Sequence, residues 1–509
     1  MARKMYDGGS EMYNGTKIGE LLERQAENSK VAIKCDGIEI TYSEWYKKSM
    51  LIKKIICNQK DKVNQNIAIF LPNSIEYAIT YFGILFAERT IIPIFVQAIG
   101  EEIKNTLEYC KVNFLFTFSK YRHLLIECLQ RLSFDIYVFF VDTNELLSLK
   151  KGRKIENDNS NKDVAIMLHT SGTTSNPKRV MLTHDNLLNN VVSNILSLKL
   201  QETDKGLIWI PMMFGYCNTA LFLTHVYLGA SLLIQEGTFT SKRFFEIVQN
   251  EKITNFTCVP SILLMILEYR YRERYDITSL RYICFGGGKM PEDKLSVLLQ
   301  HYSEVGFVQT YGQTEASPRV TALLPEDAMR KLGSVGKAIP NVKVKVVDEF
   351  GKEVSKNQIG EIIVSGKNVM KGYYLHDEIT QETIRNGWLY TGDLGYFDEE
   401  EYLYLVGRKK NIIISGGINI YPEEIEEILM ENESVKEAYV FGVEDELLGE
   451  VVEAKVILNT QERKISEREL KRFCMGRIAR YKVPRKITIV EIIEKTYNGK
   501  IKRELMKRG

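Results

Sequence analysis

The sequence predicts an α/β protein with a mostly parallel, helix-covered sheet, followed by a β-rich part and a small α+β domain. Short apolar segments alternate with helical patterns up to about residue 141 and again from residue 185 to residue 269. Such alternation is typical of parallel sheets. From about Gly333 the segments are strand-like and separated by turns, and a helix with an acidic first turn is expected at 422–430.

The first predicted elements are a helix near 18–26 and a hairpin. Apolar segments 31–35 and 38–42 flank Asp36 and Gly37, a pair that favours a two-residue hairpin turn. A helix is expected at 43–57. Further strands are expected at 66–71, 90–95, 114–117, 136–141, 164–168, 207–210, 255–259 and 281–285, and further helices at 74–86, 121–132, 185–198, 241–249 and 261–269.

Length and composition indicate a globular protein of two or three compact units. The chain has 509 residues, of which 44% are hydrophobic and 26% charged, whereas a domain has roughly 150 residues. Lys and Arg number 68 against 66 Asp and Glu, so the charge gives no reason to expect nucleic acid as a partner. The basic segment 472–508 could serve a phosphate-bearing substrate, although a solvated surface is the favoured interpretation.

The cysteines and the hydrophobic segments favour a cytoplasmic protein. The eight cysteines show no paired metal spacing, and the chain begins without an apolar secretory segment. The most hydrophobic region, 67–96, is interrupted by charged and polar residues. A spanning helix requires roughly 18 consecutive apolar residues, so no transmembrane segment is expected.

The stretch 169–180 combines hydroxyls, a glycine and a lysine between two predicted strands. Its amides and hydroxyls could bind phosphate oxygens, and Lys178 would add a positive charge. An ordinary solvated turn of Ser, Thr, Asn, Gly and Pro is an equally good interpretation of this composition. A Walker loop is a poor match, because that motif ends in Gly-Lys-Ser/Thr, whereas Lys178 follows Pro177 and precedes Arg179.

Two further segments carry candidate binding groups, and the first follows a predicted strand at the place where open sheets bind ligands. Gly286, Gly287 and Gly288 come directly after strand 281–285. Three glycines allow close approach to the backbone, although they can also form a flexible turn. Segment 311–315 then combines an aromatic ring, a hydroxyl, an amide and a carboxylate, and is interpreted as a loop.

Taken together, these motifs resemble the superfamily of adenylate-forming enzymes, which includes acyl-CoA synthetases, luciferase and the adenylation domains of peptide synthetases. The resemblance extends from about Ile18 to Leu505. The motifs occur in family order, and they comprise Thr170, Ser171, Gly172, Thr173 and Thr174 with Lys178; Tyr311, Gly312, Gln313, Thr314 and Glu315; the segment 390–393; Gly407 and Arg408 with Gly416 and Gly417; and the segment 498–501.

The resemblance implies a two-step ligation in which a carboxylate attacks the α-phosphate of ATP, pyrophosphate leaves, and the acyl group passes to a thiol. It implies that Lys500 stabilises the charge that grows between the acyl carboxylate and the α-phosphate, and that Glu315 binds Mg²⁺, a cation that prefers oxygen ligands. The resemblance implies that Thr173, Thr174 and Lys178 hold the β- and γ-phosphates and that Thr314 binds the α-phosphate. Tyr311 would stack on the adenine against the backbone of Gly287 and Gly288, and Asp393, with Arg408 nearby, would bind the ribose. Further implied ATP- and AMP-binding residues are Thr170, Ser171, Gly172, Gly312 and Gln313.

The resemblance also implies a domain organisation. Residues 1–409 would form a large N-terminal domain of two stacked α/β subdomains and a β-rich subdomain at about 333–409. Residues 410–509 would form a small, mobile α+β domain that carries Lys500 and rotates about a hinge at Lys410. Gly416 and Gly417 would then form part of the tunnel that admits the thiol.

The chain departs from the usual family pattern at three positions. The family commonly has glycine where this chain has Ser175, Arg179 and Glu88. A non-glycine residue at a position that needs a positive φ would be strained. Arg179 could supply compensating charge to the phosphate loop or could block it.

The acid substrate is expected to bind between residues 211–218, the helix that begins near 261, and the strand that ends at Gly286. Phe214, Tyr216 and Cys217 would make this acyl pocket largely apolar, and no aspartate is present to pair an amino group. A fatty or aryl acid is therefore expected, with a fatty acid narrowly favoured. CoA is the expected thiol. The alternatives are the phosphopantetheine of an acyl or peptidyl carrier protein and, in a different class, a protein that binds adenylates without catalysis.

Overall fold

The computed structural model describes residues 16–59, 63–156, 161–169, 178–288, 290–415, 418–445, 448–459, 465–475 and 477–493. The predicted residues Thr170–Thr174, Gly416, Gly417 and Lys500 lie outside these ranges, as does Ser175. The chain divides into two compact units. Unit 1 comprises residues 1–169, 179–343 and 364–389, and unit 2 comprises residues 170–178, 344–363 and 390–509.

The strands, in chain order, are β1 (Val31–Cys35), β2 (Ile38–Thr41), β3 (Asn66–Phe70), β4 (Thr90–Pro93), β5 (Phe114–Thr117), β6 (Ile136–Phe140), β7 (Glu145–Leu149), β8 (Val164–His169), β9 (Arg179–Thr183), β10 (Lys205–Ile208), β11 (Ser231–Ile234), β12 (Asn255–Cys258), β13 (Tyr282–Gly286), β14 (Gly306–Gly312), β15 (Arg319–Leu323), β16 (Ser334–Ala338), β17 (Lys343–Val347), β18 (Gly360–Ser365), β19 (Gly372–Tyr373), β20 (Ile384–Arg385), β21 (Trp388–Phe397), β22 (Leu403–Arg408), β23 (Ile413–Ser415), β24 (Ile418–Ile420), β25 (Val435–Asp445), β26 (Gly449–Leu458) and β27 (Lys486–Ile489).

The α-helices are α1 (Gly19–Glu23), α2 (Tyr42–Cys57), α3 (Ile75–Phe86), α4 (Gly100–Tyr109), α5 (Arg122–Leu129), α6 (His184–Leu198), α7 (Gly215–Cys217), α8 (Thr224–Leu228), α9 (Ser241–Glu251), α10 (Pro260–Glu268), α11 (Glu292–His301), α12 (Pro325–Ala328), α13 (Asp377–Thr383), α14 (Pro422–Met430) and α15 (Glu467–Met475). A π-helical segment, Asn218–Leu223, joins α7 to α8.

Unit 1 contains two sheets that are parallel in their centres. One has the order β16-β15-β14-β13-β12-β10-β11-β1-β2, with parallel pairing from β14 to β1. The other has eight strands in the order β19-β9-β8-β4-β3-β5-β6-β7, with parallel pairing from β8 to β6. The central strands are fully buried, which is why they have continuous apolar sequences. The predicted mostly parallel α/β architecture is thereby confirmed.

Local sequence signals explain the first elements. Asp36 and Gly37 both have positive φ values, 47° and 80°, and connect antiparallel β1 and β2, as a type I′ hairpin requires. Helix α2 begins after Thr41, whose side chain accepts a hydrogen bond from the Glu44 amide while the Glu44 carboxylate accepts one from the Thr41 amide. This reciprocal capping box fixes the start of the helix.

Unit 2 contains β-rich and α+β parts, as the sequence predicts. Strands β17, β18, β21 and β22 are neighbours in that order. Beyond β22, the order β24-β23-β26-β25, with β27 beside β26, forms a five-stranded sheet. Helices α14 and α15 pack on it around a buried apolar cluster that includes Ile425, Leu429 and Leu470. A boundary at Lys410 stays a prediction.

Among the described residues, no helix is long and apolar enough to cross a membrane. The eight cysteines are free, and seven of them are buried.

Candidate functional site

The carboxyl ends of β13 and β14 bring two predicted segments to one edge of the sheet in unit 1. These strands are parallel neighbours, and Gly286 lies opposite Thr310. The backbone of Gly287 and Gly288 therefore lies beside the end of β14, which continues into the segment 311–315. This edge is where open parallel sheets bind ligands.

Two of the three glycines have a structural reason, and the two reasons differ. A Cβ on Gly286 would lie 2.6 Å from both the carbonyl oxygen and the Oγ1 of Thr310, so no larger residue fits. Gly287 has a φ of +80°, a conformation that favours glycine. Gly288 has only ordinary contacts with Pro260, at 3.7 Å and beyond. Gly287 and Gly288 are exposed, so a ligand can approach their backbone.

Most of segment 311–315 is regular secondary structure, so the prediction that it forms a loop is wrong. Tyr311 and Gly312 belong to β14, and Thr314–Ala316 forms a short 3-10 helix. A Cβ on Gly312 would lie 1.7 Å from the carbonyl oxygen of Pro318. This close approach requires glycine, and it lets β14 and β15 pair up to the end of the strand. The polar composition of 311–315 does not reveal that the end of β14 pairs with β15.

The Glu315 carboxylate is held in place by contacts within unit 1. Its Oε1 accepts a hydrogen bond of 2.8 Å from the Tyr373 hydroxyl, and its carbonyl oxygen accepts one of 2.9 Å from the Met370 amide. Among the described residues, no group of three or more His, Cys, Asp or Glu side chains could hold a metal ion. A single oriented carboxylate fits Mg²⁺, which usually takes one or two protein carboxylates and completes its shell with waters and substrate phosphates.

Gln313 contributes a second polar group to this segment. Its Nε2 is buried and has no hydrogen-bond partner within the described ranges. Tyr311 is buried, while Gln313 and Thr314 are partly buried. An oriented carboxylate and a free amide donor therefore lie within a few residues of each other.

The predicted acyl-pocket residues Tyr216 and Gly286 meet at Thr310. The Thr310 Oγ1 donates to the Phe285 carbonyl oxygen at 3.1 Å and lies 2.8 Å from the Tyr216 hydroxyl. Since Thr310 has one hydroxyl proton, Tyr216 is the donor in their contact. Burial raises the pKa of Tyr216, so the phenol stays protonated. Thr310 was not predicted as a site residue, although its place opposite a required glycine is a signal for it.

The other two predicted acyl-pocket residues lie in and next to the short helix α7. Phe214 packs against Phe95 with ring centroids 6.0 Å apart. Cys217 is fully buried, and burial raises the pKa of its thiol well above the usual range. Phe214 therefore contributes an aromatic ring next to Phe95. The Cys217 thiol, in contrast, is protonated and buried in the core.

The residues that flank the predicted phosphate loop are described, although the loop itself is not. Burial and the nearby Arg179 guanidinium lower the pKa of His169, at the end of β8, to about 4. Lys178 is partly buried. Arg179 lies in strand β9, so its backbone is extended and the strain considered for this position does not arise.

The Arg179 side chain points into the core of unit 1. It is 4% exposed, and its guanidinium donates to the Thr106 Oγ1 at 3.0 Å and to the Pro93 carbonyl oxygen at 3.4 Å. These bonds tie the start of β9 to α4 and to the end of β4. Glu88, the third departure from the family pattern, does have a positive φ, of 54°.

In unit 2, the register of two strands places Asp393 opposite Arg408, and their side chains form an ion pair. The two residues are opposite each other in the antiparallel pair β21 and β22, and Arg408 Nε lies 2.5 Å from Asp393 Oδ1. The Asp393 side chain is 9% exposed and that of Arg408 is 41% exposed. The carboxylate is thus oriented by a cation that reaches solvent.

Lys410 lies between two anchored neighbours in the 3-10 helix Lys409–Asn411. Lys409 Nζ contacts the Glu361 carboxylate on β18 at 2.7 Å. Asn411 Nδ2 donates to the Glu423 carboxylate on α14 at 2.9 Å. The chain thus passes at Lys410 from contacts with the β-rich part to contacts with the α+β part.

Comparison with known proteins gives a consistent result over the whole chain. Residues 22–374 match the family described as AMP-binding enzyme, and residues 424–500 match the AMP-binding enzyme C-terminal domain. The chain is 30% identical over 477 residues to a 2-succinylbenzoate–CoA ligase of Bacillus cereus (strain AH820), covering 94% of this chain and 95% of the relative. It is 34% identical over 346 residues to a 2-succinylbenzoate–CoA ligase of Geobacillus sp. (strain WCH70), covering 68% and 69%.

Solved structures show the same similarity. The o-succinylbenzoate CoA synthetase of Bacillus subtilis in complex with its acyl-adenylate intermediate superimposes with a TM-score of 0.83 at 29% identity, covering 96% of this chain and 98% of that one. The same enzyme in complex with ATP and magnesium gives a TM-score of 0.84 at 28% identity, with 96% and 99% covered.

Proposed function

Because the chain belongs to the AMP-binding enzyme family and is an AMP-forming acid–thiol ligase, we propose that it activates an aryl carboxylic acid with ATP and transfers the acyl group to CoA. In the first step a carboxylate oxygen attacks the α-phosphorus and the bond to pyrophosphate breaks. In the second step a CoA thiolate attacks the acyl carbon, AMP leaves, and the thiol proton passes to solvent.

The observation that carries the proposal is the common end of β13 and β14. Gly286 is opposite Thr310, so the exposed Gly287 and Gly288 backbone and the residues from Tyr311 to Glu315 share one edge of the sheet. We assign Glu315 to Mg²⁺, which would neutralise phosphate charge when bound. Thr314 is assigned to the α-phosphate, and Tyr311 to the adenine.

Roles are also proposed for residues whose surroundings are described only in part. Asp393, oriented by Arg408, is proposed to accept hydrogen bonds from the ribose hydroxyls. Lys500 is proposed to supply positive charge at the reacting centre, and Gly416 with Gly417 to line the path of the thiol. The phosphate-binding role of residues 170–174 and Lys178 is proposed on the family pattern alone.

The choice of an aryl acid and of CoA rests on the relatives, whose names specify 2-succinylbenzoate and CoA. This choice replaces the narrow preference for a fatty acid that the apolar residues suggested. The ring of Tyr216, with its hydroxyl engaged by Thr310, is suited to contact an aromatic acid. A cytoplasmic location is proposed because all eight cysteines are free.

A pyrophosphate-release assay over a panel of aryl and fatty acids, with and without CoA, tests the proposal. We expect acid-dependent release, thioester formation on CoA, and loss of at least 100-fold in rate in Lys500→Ala, since one preorganised charge at the reacting centre is worth roughly 10²–10³ in rate. Release without any thioester on CoA would favour a carrier-protein acceptor. No release with any acid would favour an adenylate-binding protein without catalysis.

A further inference from the structure

A buried cation lies beside the proposed acyl pocket and has no role in the proposed chemistry. Arg319 begins strand β15, whose five residues are all buried. Its side chain is 1% exposed and is among the largest fully buried side chains of the described residues. A guanidinium in such a place needs hydrogen bonds and a compensating charge.

Helix α6 fixes the position of Arg319. Asn190 donates to the Arg319 carbonyl oxygen at 2.8 Å, and one turn later Asn194 accepts a hydrogen bond from Arg319 Nη1 through its Oδ1. The orientation of the Asn194 amide is fixed, because its Nδ2 donates to the Ala220 carbonyl oxygen at 3.0 Å and to the Thr224 Oγ1 at 3.1 Å. Exchanging the positions of Oδ1 and Nδ2 would break both hydrogen bonds. The guanidinium is therefore held from one side by an oriented acceptor.

Two of the three guanidinium nitrogens lack a hydrogen-bond acceptor among the described residues. The Nε and Nη2 of Arg319 are buried and have no hydrogen-bond partner in the described part of the chain. No described carboxylate forms an ion pair with Arg319, whereas the partly exposed Arg281 pairs with the buried Asp204 at 2.7 Å. Two free N–H groups on one planar cation form the donor pattern that binds a carboxylate.

The surroundings of the guanidinium relate it to the acid substrate. Its central carbon lies 5.9 Å from the ring centroid of Tyr216. Its charge and a hydrogen bond to the side chain of Cys284, two residues before Gly286 on β13, offset part of the rise that burial produces in the pKa of that thiol. Tyr216 and Gly286 are residues assigned to the acyl pocket.

We propose that Arg319 is a specificity-determining residue that binds a second carboxylate of a dicarboxylic acid substrate. The carboxylate that becomes adenylated reacts elsewhere, and the second one accepts hydrogen bonds from Nε and Nη2 while it neutralises the buried charge. This inference rests on the proposed function, because it concerns the acid of that reaction. It predicts that acids with a second, suitably spaced carboxylate are preferred over acids that lack it.

The test compares matched pairs of acids in the pyrophosphate-release assay. Suitable pairs are 2-succinylbenzoate with 4-oxo-4-phenylbutanoate, terephthalate with benzoate, and adipate with hexanoate. The expected result is a kcat/KM at least 30-fold higher for the diacid in at least one pair. In Arg319→Gln that ratio is expected to fall at least tenfold, mainly through a higher KM for the diacid, and Arg319→Lys should restore part of it.

Controls separate specificity from folding. Arg281→Gln breaks the partly buried ion pair with Asp204 just before β13, and should lower thermal stability without changing the ratio of the two acids. Arg319→Met removes an unpaired buried charge, so its melting temperature without substrate should equal or exceed that of the wild type. The diacid should raise the melting temperature of the wild type by more than it raises that of Arg319→Met.

Three results would overturn the inference. In the first, the wild type turns over monoacids as well as diacids in every pair, which leaves the proposed ligation intact. In the second, the preference for the diacid survives in Arg319→Gln within threefold, which assigns the second carboxylate to other residues. In the third, no acid releases pyrophosphate, which refutes the proposed function together with the inference.

Discussion

Gly286 illustrates how one residue couples the fold of unit 1 to its proposed chemistry. The strand register places it against Thr310, the residue that also receives the Tyr216 hydroxyl. Glycine is required here because a Cβ would lie 2.6 Å from two Thr310 oxygens. The conformation of the neighbouring Gly287 is a separate requirement. The glycine run could have been a flexible turn, but glycine is required at Gly286 by close contacts and favoured at Gly287 by a positive φ.

Gly286→Ala should damage both stability and activity. The added methyl group has to displace β14 or rotate Thr310 away from Tyr216, and overpacking of this kind costs about 1–3 kcal/mol. We expect the free energy of unfolding to fall by that amount in chemical denaturation, and kcat/KM for the acid to fall at least tenfold. Gly288→Ala, where the nearest atom is 3.7 Å away, should change the unfolding free energy by less than about 0.5 kcal/mol. Equal losses in both variants would contradict this steric argument.

Residue identity and spacing predicted some site residues, whereas others depend on tertiary contacts. Asp393 and Arg408 could be proposed from the family motif, and their pairing follows from the register of β21 and β22. Arg319 could not be found in this way. It appears in the sequence as an ordinary arginine, and its side-chain acceptor Asn194 is 125 residues away. The position of Tyr373 against Glu315, across 58 residues, is hidden for the same reason.

Among the secondary-structure elements, strongly apolar strands and capped helices were predicted from the sequence. Strands and helices with few buried apolar residues were missed. The omitted elements include α4, α11, β7 and β11. Helix α4 buries only Ile103 and Leu107 among ten residues, so its apolar pattern is sparse. Strand β11 has four residues and β7 has no buried position. Their structure comes from neighbouring strands, which local sequence does not reveal.

Helix α6 provides an element-scale prediction, because it carries Asn190 and Asn194 and ends at a strained residue. Its C-cap, Lys199, has left-handed backbone angles (φ 50°, ψ 45°), and its side chain is exposed. Lys199→Gly relieves the contact between Cβ and the backbone, and should raise the free energy of unfolding by about 0.5–1 kcal/mol. Lys199→Ala keeps the Cβ and serves as the control. A glycine variant that is no more stable than the alanine variant in denaturant titration would show that Lys199 is not strained.

At the scale of the whole molecule, the two half-reactions place different demands on unit 2. The family resemblance implies that the segment beyond Lys410 rotates between adenylation and thioester formation. Lys409 is anchored to Glu361 on β18 and Asn411 to Glu423 on α14. A rotation between these parts would therefore be concentrated in the backbone angles of Lys410. Its exposed position leaves room for such a change.

Lys410→Pro tests this hinge. Proline fixes φ near −65° and removes the backbone N–H, so it restricts the rotation without altering any residue assigned to ATP or the acid. We expect thioester formation on CoA to fall at least tenfold more than acid-dependent pyrophosphate release in single-turnover measurements, because only the second step needs the rotated arrangement. Lys410→Ala, which keeps the backbone free, should retain the wild-type ratio of the two rates. If proline slows both half-reactions equally, the pivot is not at Lys410, and the boundary between residues 1–409 and 410–509 must be placed elsewhere.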